Sequence, residues 1–534
     1  MRLSTRLVLV LASAIGVVGT AALPGYAEGP GTLVNDTGVL TATVVDDFDG
    51  GSSRTELDLV ETDPAGGTVG RRALSVTGVD PSRVRELVGR QVVAKGRRTK
   101  DGGIEVTASG LTETSPGAPE DPGVAEAPSV AEAGPKTVRV LAVTVRFKDT
   151  PSASPVSSSV LSSRLFTGSK SVRAYYDDLS DGQWDVRGRV VGPYTVSRTS
   201  SSTCESSDYY DWARSAEQAA IDAGVDTSAY THLMVVWGRG ATPGCGWAGL
   251  GQLPGNLTWI NASDPNLYVL SHELGHNFGE HHASSYNCTG GVIAAPASCR
   301  AVSEYGDPFT TMGAAPYLQH ATAREHYQLI SPRGLAGGEA RTVRLAPADT
   351  TSGVRELRVS RPDGTAVTVE YRRPTGLFDA FASSDPVVNG VTLRLDRGLG
   401  KQTYLFDTTS STSSDSDAPL RLGRSVIDPV TDSQITLTGL RPDAATVQVT
   451  SPRAVRGLRA IASGTSLTVA WTQPSGVSAT SYLVSLDGGA PVRVDGTRWT
   501  TAVEPGRHRV VVRAVDGSGM THPAATTSVL SRVM

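Results

Sequence analysis

The sequence predicts a multidomain, strand-rich chain. One α+β unit, a mixed sheet with helices, is flanked by an N-terminal β-rich region and two C-terminal β-sandwich units. Three observations predict this. The length, 534 residues, exceeds what one hydrophobic core fills. Helical patterning is confined to the middle of the chain, within about 171–277, while short runs rich in Val and Thr, punctuated by Gly, Asp and Pro, recur on both sides. Residues 115–135 are dominated by Pro, Ala, Glu and Gly, a composition that forms no core and reads as a linker.

Residues 1–27 carry Arg2 and Arg6, an apolar run over 7–18, and Gly25, Tyr26 and Ala27 where a signal peptidase reads small residues. That is a secretory signal peptide; a run of about 12 residues falls short of the roughly 20 that span a bilayer. The mature chain is therefore expected to be secreted and extracellular, with no membrane span. Strands are expected at 39–45, 56–60, 91–94 and 104–108. This N-terminal region, 28–135 with its linker, precedes everything else and is expected to act as a propeptide.

The central unit is expected over 136–332. It opens with an apolar strand at 138–147, then a helix at 171–179 and a strand at 183–191. A helix at 208–223 stops at Gly224, and buried strands follow at 233–237 and 257–260. A β-sandwich is expected over 333–452, with strands at 342–345, 367–371, 391–395, 403–406, 434–437 and 446–449. A second all-β unit is expected over 453–534. There Leu467, Val469 and Trp471 alternate, as do Tyr482 and Val484, and Val510, Val512 and Ala514.

Composition narrows the function. Hydrophobic residues make up 39% and charged residues 19%, a globular balance, and the net charge of −4 lacks the basic footprint of a nucleic-acid binder. The four cysteines, Cys204, Cys245, Cys288 and Cys299, lie within one hundred residues. In a secreted chain they suggest two disulfides; proximity favours Cys204–Cys245 and Cys288–Cys299 among the three pairings. No Cys-x-x-Cys is present, so a cysteine zinc site is not expected.

Residues 271–282 read Ser-His-Glu-Leu-Gly-His-Asn-Phe-Gly-Glu-His-His. On a helix, His272 and His276 sit one turn apart on one face and can share one metal ion. Glu273 lies beside the first of them, within reach of water at that ion. Gly279 can take a positive φ and end the helix, so that His282 returns as a third ligand. Three neutral imidazoles suit Zn²⁺ with one position left for water. His281 adjoins His282 and is the weaker candidate.

With Met312 downstream, this pattern resembles the metzincin zinc endopeptidases. The segment Tyr305-Gly-Asp-x-x-x-x-Met312-Gly makes the chain look most like the gametolysin family of secreted peptidases. The resemblance covers roughly 137–332. It implies that Met312 lies beneath the metal site, and that an edge strand, taken as 257–260, pairs with an extended substrate. It also implies hydrolysis by metal-activated water with Glu273 as general base. Tyr305 and Tyr317 are candidate donors to the oxyanion. Residues 453–534 resemble a fibronectin type III domain, with His508 in place of the usual corner tyrosine. The C-terminal β-units are candidate contacts for a cell surface or polysaccharide.

No cysteine precedes Cys204, so latency through a cysteine is excluded; the acidic run Asp46-Asp47-Phe48-Asp49 can instead place a carboxylate over the metal. Asp415 and Asp417 lack EF-hand spacing, which leaves Ca²⁺ without support. Two rivals stand beside this reading. One is a zinc peptidase with Glu304 as third ligand. The other is a non-proteolytic, surface-binding β-protein whose zinc site is structural or inactive.

Overall fold

A computed structural model of the chain describes residues 30–114 and 136–531 apart from short internal stretches, the longest being 288–299, 78–83 and 63–67. The expected signal peptide, the linker 115–135, Asp49, Cys288 and Cys299 lie outside the described residues.

The N-terminal region is five strands: β1 (Leu33–Asp47), β2 (Ser52–Thr62), β3 (Thr68–Thr77), β4 (Gln91–Arg98) and β5 (Ile104–Glu113). Their order is β2-β3-β5-β4-β1, and β1 also pairs with β2, so the sheet closes on itself as a barrel. Alternate residues point inward, and Leu40, Leu59, Val92, Ala94, Ile104 and Val106 fill the interior.

The central unit holds β6 (Lys136–Phe147), helices α1 (Ser158–Ser162) and α2 (Val172–Leu179), β7 (Trp184–Val196), α3 (Ser206–Asp222), β8 (His232–Trp237), β9 (Gly249–Gln252), β10 (Leu257–Asn261) and α4 (Leu267–Asn277). Strands β10, β8, β6 and β7 run parallel, and β9 is antiparallel to β10. A parallel sheet is covered on both faces, and β6 shows why its sequence is nearly continuous in apolar residues. Val138, Val140 and Ala142 face α2 and α4, while Leu141, Val143 and Val145 face α3. Ser171 caps α2 by accepting from the Ala174 N–H, and Gly224 ends α3 with φ of +81°. The Cys204–Cys245 disulfide ties the start of α3 to the loop before β9, with a Cα–Cα distance of 5.3 Å.

Two features differ from expectation. The segment 257–260 is not an edge: β10 is hydrogen-bonded to β8 on one side and β9 on the other. Of the two edges of this unit, β7 and β9, the one on the α4 side is β9, Gly249-Leu-Gly-Gln252, whose glycines carry no strand signal. Strand β9 in turn is paired by β1 of the barrel, through Thr43↔Gln252, Val44↔Gly251, Val45↔Leu250 and Asp46↔Gly249. Barrel and central sheet are thus one ten-stranded sheet.

After α4 the chain enters β11 (Ala283–Asn287) and β12 (Arg300–Ser303), then α5 (Ala321–His326) and β13 (Arg333–Leu335), β14 (Arg341–Leu345), β15 (Glu356–Ser360), β16 (Ala366–Glu370), β17 (Gly390–Asp396) and β18 (Thr403–Asp407). Strand β11 pairs parallel with β18, so one sheet, β12-β11-β18-β17-β16-β15-β13, crosses the expected 332/333 boundary. Residues 120 apart make that pairing and leave no local trace in the sequence. A second sheet packs on it, with Leu345, Ile435, Leu437 and Val447 meeting Val367, Val369, Leu393 and Leu395.

The last unit is a three-stranded sheet over a four-stranded one. Leu467, Val469, Trp471, Tyr482, Val484, Val510, Val512 and Ala514 are its core, as their alternation predicts. His508 reaches back to the Glu504 carbonyl through Nε2, at 2.7 Å. No helix among the described residues is long and apolar enough to cross a membrane.

Candidate metal centre

Asn266 starts α4 by accepting from the Val269 N–H, and His272 and His276 then fall one turn apart, ring centroids 4.9 Å from each other. The helix ends at Phe278. Gly279 follows with φ of +98°, where L side chains are strained, and the chain reverses. His282 returns to place its ring 4.9 Å from His276 and 5.2 Å from His272. The segment then passes directly into β11, so the third histidine is held by the sheet of the following unit. The Thr403 N–H donates to the His282 carbonyl at 3.1 Å, and the Gly400 N–H to that of Gly279 at 2.9 Å.

Each of the three rings is oriented by its Nδ1. That of His272 donates to the Thr311 carbonyl at 2.8 Å, that of His276 to the Glu280 carbonyl at 2.7 Å, and that of His282 to Glu304 Oε1 at 2.9 Å. Partners of this kind fix the tautomer and leave Nε2 free for a metal. Glu304 therefore lies on the far side of the His282 ring from the cluster, where it also accepts from Ser53 at 2.8 Å. Burial opposes its charge, but His282, Ser53 and Gln402 hold its carboxyl below the usual range. His281 accepts the His282 N–H through Nδ1 at 2.7 Å and stays outside the three-histidine group.

The fourth member comes from the barrel. Asp46 lies 2.9 Å from His282 Nε2, 3.1 Å from His276 Nε2 and 3.5 Å from His272 Nε2. All four side chains are fully buried, and their ligand atoms lie within 4.8 Å of one another. This group could hold a metal ion. The acidic run 46–49 marks the place in sequence, but nothing local singles out Asp46. Its reach is set by β1, and the Tyr305 hydroxyl steadies it by donating to Oδ1 at 2.7 Å.

Electrostatics follow from this crowding. Burial works against a charged Asp46, yet His282, then His272 and His276, keep its carboxyl well below the usual range. Burial pushes His272 down to about 4 even with Asp46 beside it. Burial also opposes charge on His282, but Asp46 and Glu304 push it up to about 9. Glu273 is buried too, and burial followed by the Asp46 charge hold its carboxyl well above the usual range. Among the described residues, neither of its oxygens, nor His272 Nε2, has a hydrogen-bond partner. Buried polar atoms without partners are costly. Three imidazole nitrogens and a carboxylate oxygen suit Zn²⁺, so the residues present fit that ion.

Met312 is buried beneath α4, so near that a Cβ on Gly275 would lie 2.5 Å from its Sδ. Its carbonyl accepts from Ala283, and the preceding carbonyl holds His272. Tyr305 is part of the cluster through Asp46. The Tyr317 ring instead packs on Phe381, centroids 4.3 Å apart. Asp415 accepts from Ser285 and Asp417 from Thr412.

Comparisons with known proteins give short matches and one family. The matching solved structures include the Clostridium perfringens spore cortex lytic enzyme SleM, 17% identical over 18% of this chain and 36% of that one, with a TM-score of 0.15. They include the fibronectin(III)-like modules of Clostridium thermocellum CbhA, 16% identical over 15% of this chain and 96% of that one, TM-score 0.13. A fibronectin type III domain of human fibronectin type III domain containing protein 3 is 15% identical over 16% of this chain and 88% of that one, TM-score 0.14. No curated protein matches the chain. Residues 152–342, which hold all three histidines, Glu273 and Met312, match the family described as gametolysin peptidase M11, and that match suggests a metallopeptidase.

Proposed function

We propose that the chain is a secreted zinc metalloendopeptidase of the metzincin type, with His272, His276 and His282 as protein ligands and Glu273 as general base. The observation that carries this reading is the convergence of three Nε2 atoms, each ring fixed through Nδ1, beside a buried carboxyl with no hydrogen-bond partner among the described residues. Zn²⁺ held by His272, His276 and His282 would supply Lewis acidity to the scissile carbonyl. Glu273 takes a proton from the attacking water and delivers it to the leaving amine nitrogen, so no acyl-enzyme forms. Burial first, and the Asp46 charge second, disfavour the ionised form of Glu273. Met312 and the Thr311 carbonyl set the position of the His272 ring from below.

The substrates are extracellular proteins, bound as an extended strand. The last unit is read as fibronectin type III-like, a binding module or spacer. A second reading has one observation behind it. Asp46 would add a fourth ligand to the three histidines, and closed four-ligand sites are the structural kind. A non-proteolytic surface-binding protein with a structural zinc ion would bind metal and cleave nothing.

The test is cleavage of a denatured protein mixture by the secreted chain, freed of residues 1–135, with cut sites read by mass spectrometry. Cleavage lost with a chelator, and lowered by about 10²–10⁴-fold in Glu273→Ala that retains zinc, supports the peptidase. Zinc retained without cleavage in the parent chain supports the structural reading.

A further inference from the structure

We propose that the segment from Thr43 to Phe48 is an inhibitory strand that keeps the peptidase latent, with Asp46 as the displaceable fourth ligand of the metal. This rests on the peptidase reading above.

Three observations converge. First, among the described residues β1 occupies the strand edge beside the zinc-site helix α4. Among the described residues β9 has β10 on one side, and the four pairs from Thr43↔Gln252 to Asp46↔Gly249 fill the other. An extended substrate adding a strand here would need the same backbone groups of β9. Strand and substrate exclude one another. Second, the Asp46 carboxylate sits 2.9–3.5 Å from all three Nε2 atoms, the place a reacting water and carbonyl must share. Third, the strand is anchored beyond the ligand. Phe48 packs against Tyr268, His272 and Tyr305 with centroids at 5.1, 5.0 and 5.4 Å, and Tyr305 holds Asp46.

The remaining contact is built to part. The barrel has its own core, and of β1 only Val45 enters the core of the central unit. Around it the contacts are polar: Glu56 accepts from Tyr209, Asp58 from Ser206, and Arg71 lies over the Tyr210 ring at 3.4 Å. A cavity of 1020 Å³, lined by Arg54, Asp58, Arg72, Ser206 and Arg214 among others, lies between the barrel and α3. The apolar side chains of the segment that would leave the central unit with it include Val45 and Phe48.

The experiment uses the zinc-loaded full chain as wild type, Asp46→Ala, Phe48→Ala and Asp46→Ala/Glu273→Ala. Turnover of a quenched fluorescent peptide is followed, and the visible spectrum of the Co²⁺-substituted proteins reports the ligand set. A tethered ligand at roughly millimolar effective concentration, with an intrinsic dissociation constant near 0.1 mM, silences a site about tenfold. Asp46→Ala should therefore raise turnover by about tenfold or more and change the cobalt spectrum. Phe48→Ala should raise turnover less and leave the spectrum nearly unchanged, and it carries the test if Asp46→Ala does not fold.

Equal turnover in wild type and Asp46→Ala, abolished in the double variant, overturns the latency proposal and leaves the peptidase standing. Zinc retained with no turnover in any chain overturns both. In that case a cobalt spectrum altered by Asp46→Ala would mark a closed structural site.

Discussion

Two regions close on the same three histidines, one from each end of the chain, and they are joined to the central unit in opposite ways. The barrel reaches in with one strand, the side chains of Val45 and Phe48 and a carboxylate, and a cavity lies beside its flanking contacts. The following unit is fused. Strand β11 belongs to its sheet, and fully buried Arg394 bridges Asp307 in the central unit and Glu370 on β16 at 2.7 Å each. Fully buried Arg372 pairs with Asp379 and donates to the Phe309 and Leu318 carbonyls. Phe309, Phe381, Val387, Val388 and Leu405 form one apolar cluster across the junction. The contact that the latency proposal releases is the smaller one, while the one behind the third histidine is built as interior.

The largest test of that contrast is truncation. A chain ending at 332 loses the partner of β11 and should not fold, whereas one ending at 452 should keep a folded, zinc-binding unit, as read by soluble yield and circular dichroism melts. Next is Arg394→Met, which strands Asp307 and Glu370 in the interior. Urea unfolding should show a loss of about 3–5 kcal/mol.

His326→Gln probes the same junction through pH. Burial opposes charge on His326, but Glu280 at 2.8 Å and Asp396 at 3.1 Å hold it charged well above its usual range. Burial likewise opposes the Asp396 charge, and His326 and Arg358 keep its carboxyl below the usual range. A raised histidine stabilises fully below its unfolded pKa of about 6.5 and fades as pH rises through the folded value. A depressed aspartate stabilises fully above about 3.9 and fades as pH falls. The loss on His326→Gln should therefore be greatest between about pH 4 and 6.5, on the order of 3 kcal/mol, and narrow on either side. Urea titrations across pH decide this; a pH-independent loss would remove the ion pair as its cause.

Smaller still, Gly275→Ala drives a methyl group toward the Met312 sulfur and should cost about 1–3 kcal/mol, with weaker zinc retention against a chelator. The smallest effect sharpens the barrel side. Arg71→Ala removes the guanidinium over Tyr210 and should loosen barrel docking by about 1 kcal/mol, leaving the melting of the fused part unchanged.

What was legible in the sequence was what local rules write. The i, i+4 histidines and the glycine that turns the chain bring His272, His276 and His282 together, because helix periodicity and positive φ are decided within a few residues; the place of Met312 was readable only through the family resemblance. The alternation through Leu467 and Val469 located a core for the same reason. Asp46 was one acid in a run of three, since its role depends on a strand register set 200 residues away. Strand β9 escaped notice because Gly249 and Gly251 lack strand propensity, and β11 because its partner follows 120 residues later.

Those two glycines carry a consequence for how the protein can vary. A methyl group on Gly249 would lie 2.1 Å from Glu273 Oε1, and one on Gly251 would meet the Glu273 carbonyl at 2.6 Å and the His276 Cβ at 2.7 Å. Strand and helix touch there with nothing between them. A side chain added at either glycine displaces the glutamate or the second histidine, while Leu250 is fixed in the core on the other face and Gln252 is held by Tyr210, Asn256 and Leu257. Positions with no chemistry of their own are thereby as immobile in sequence space as the residues that have it.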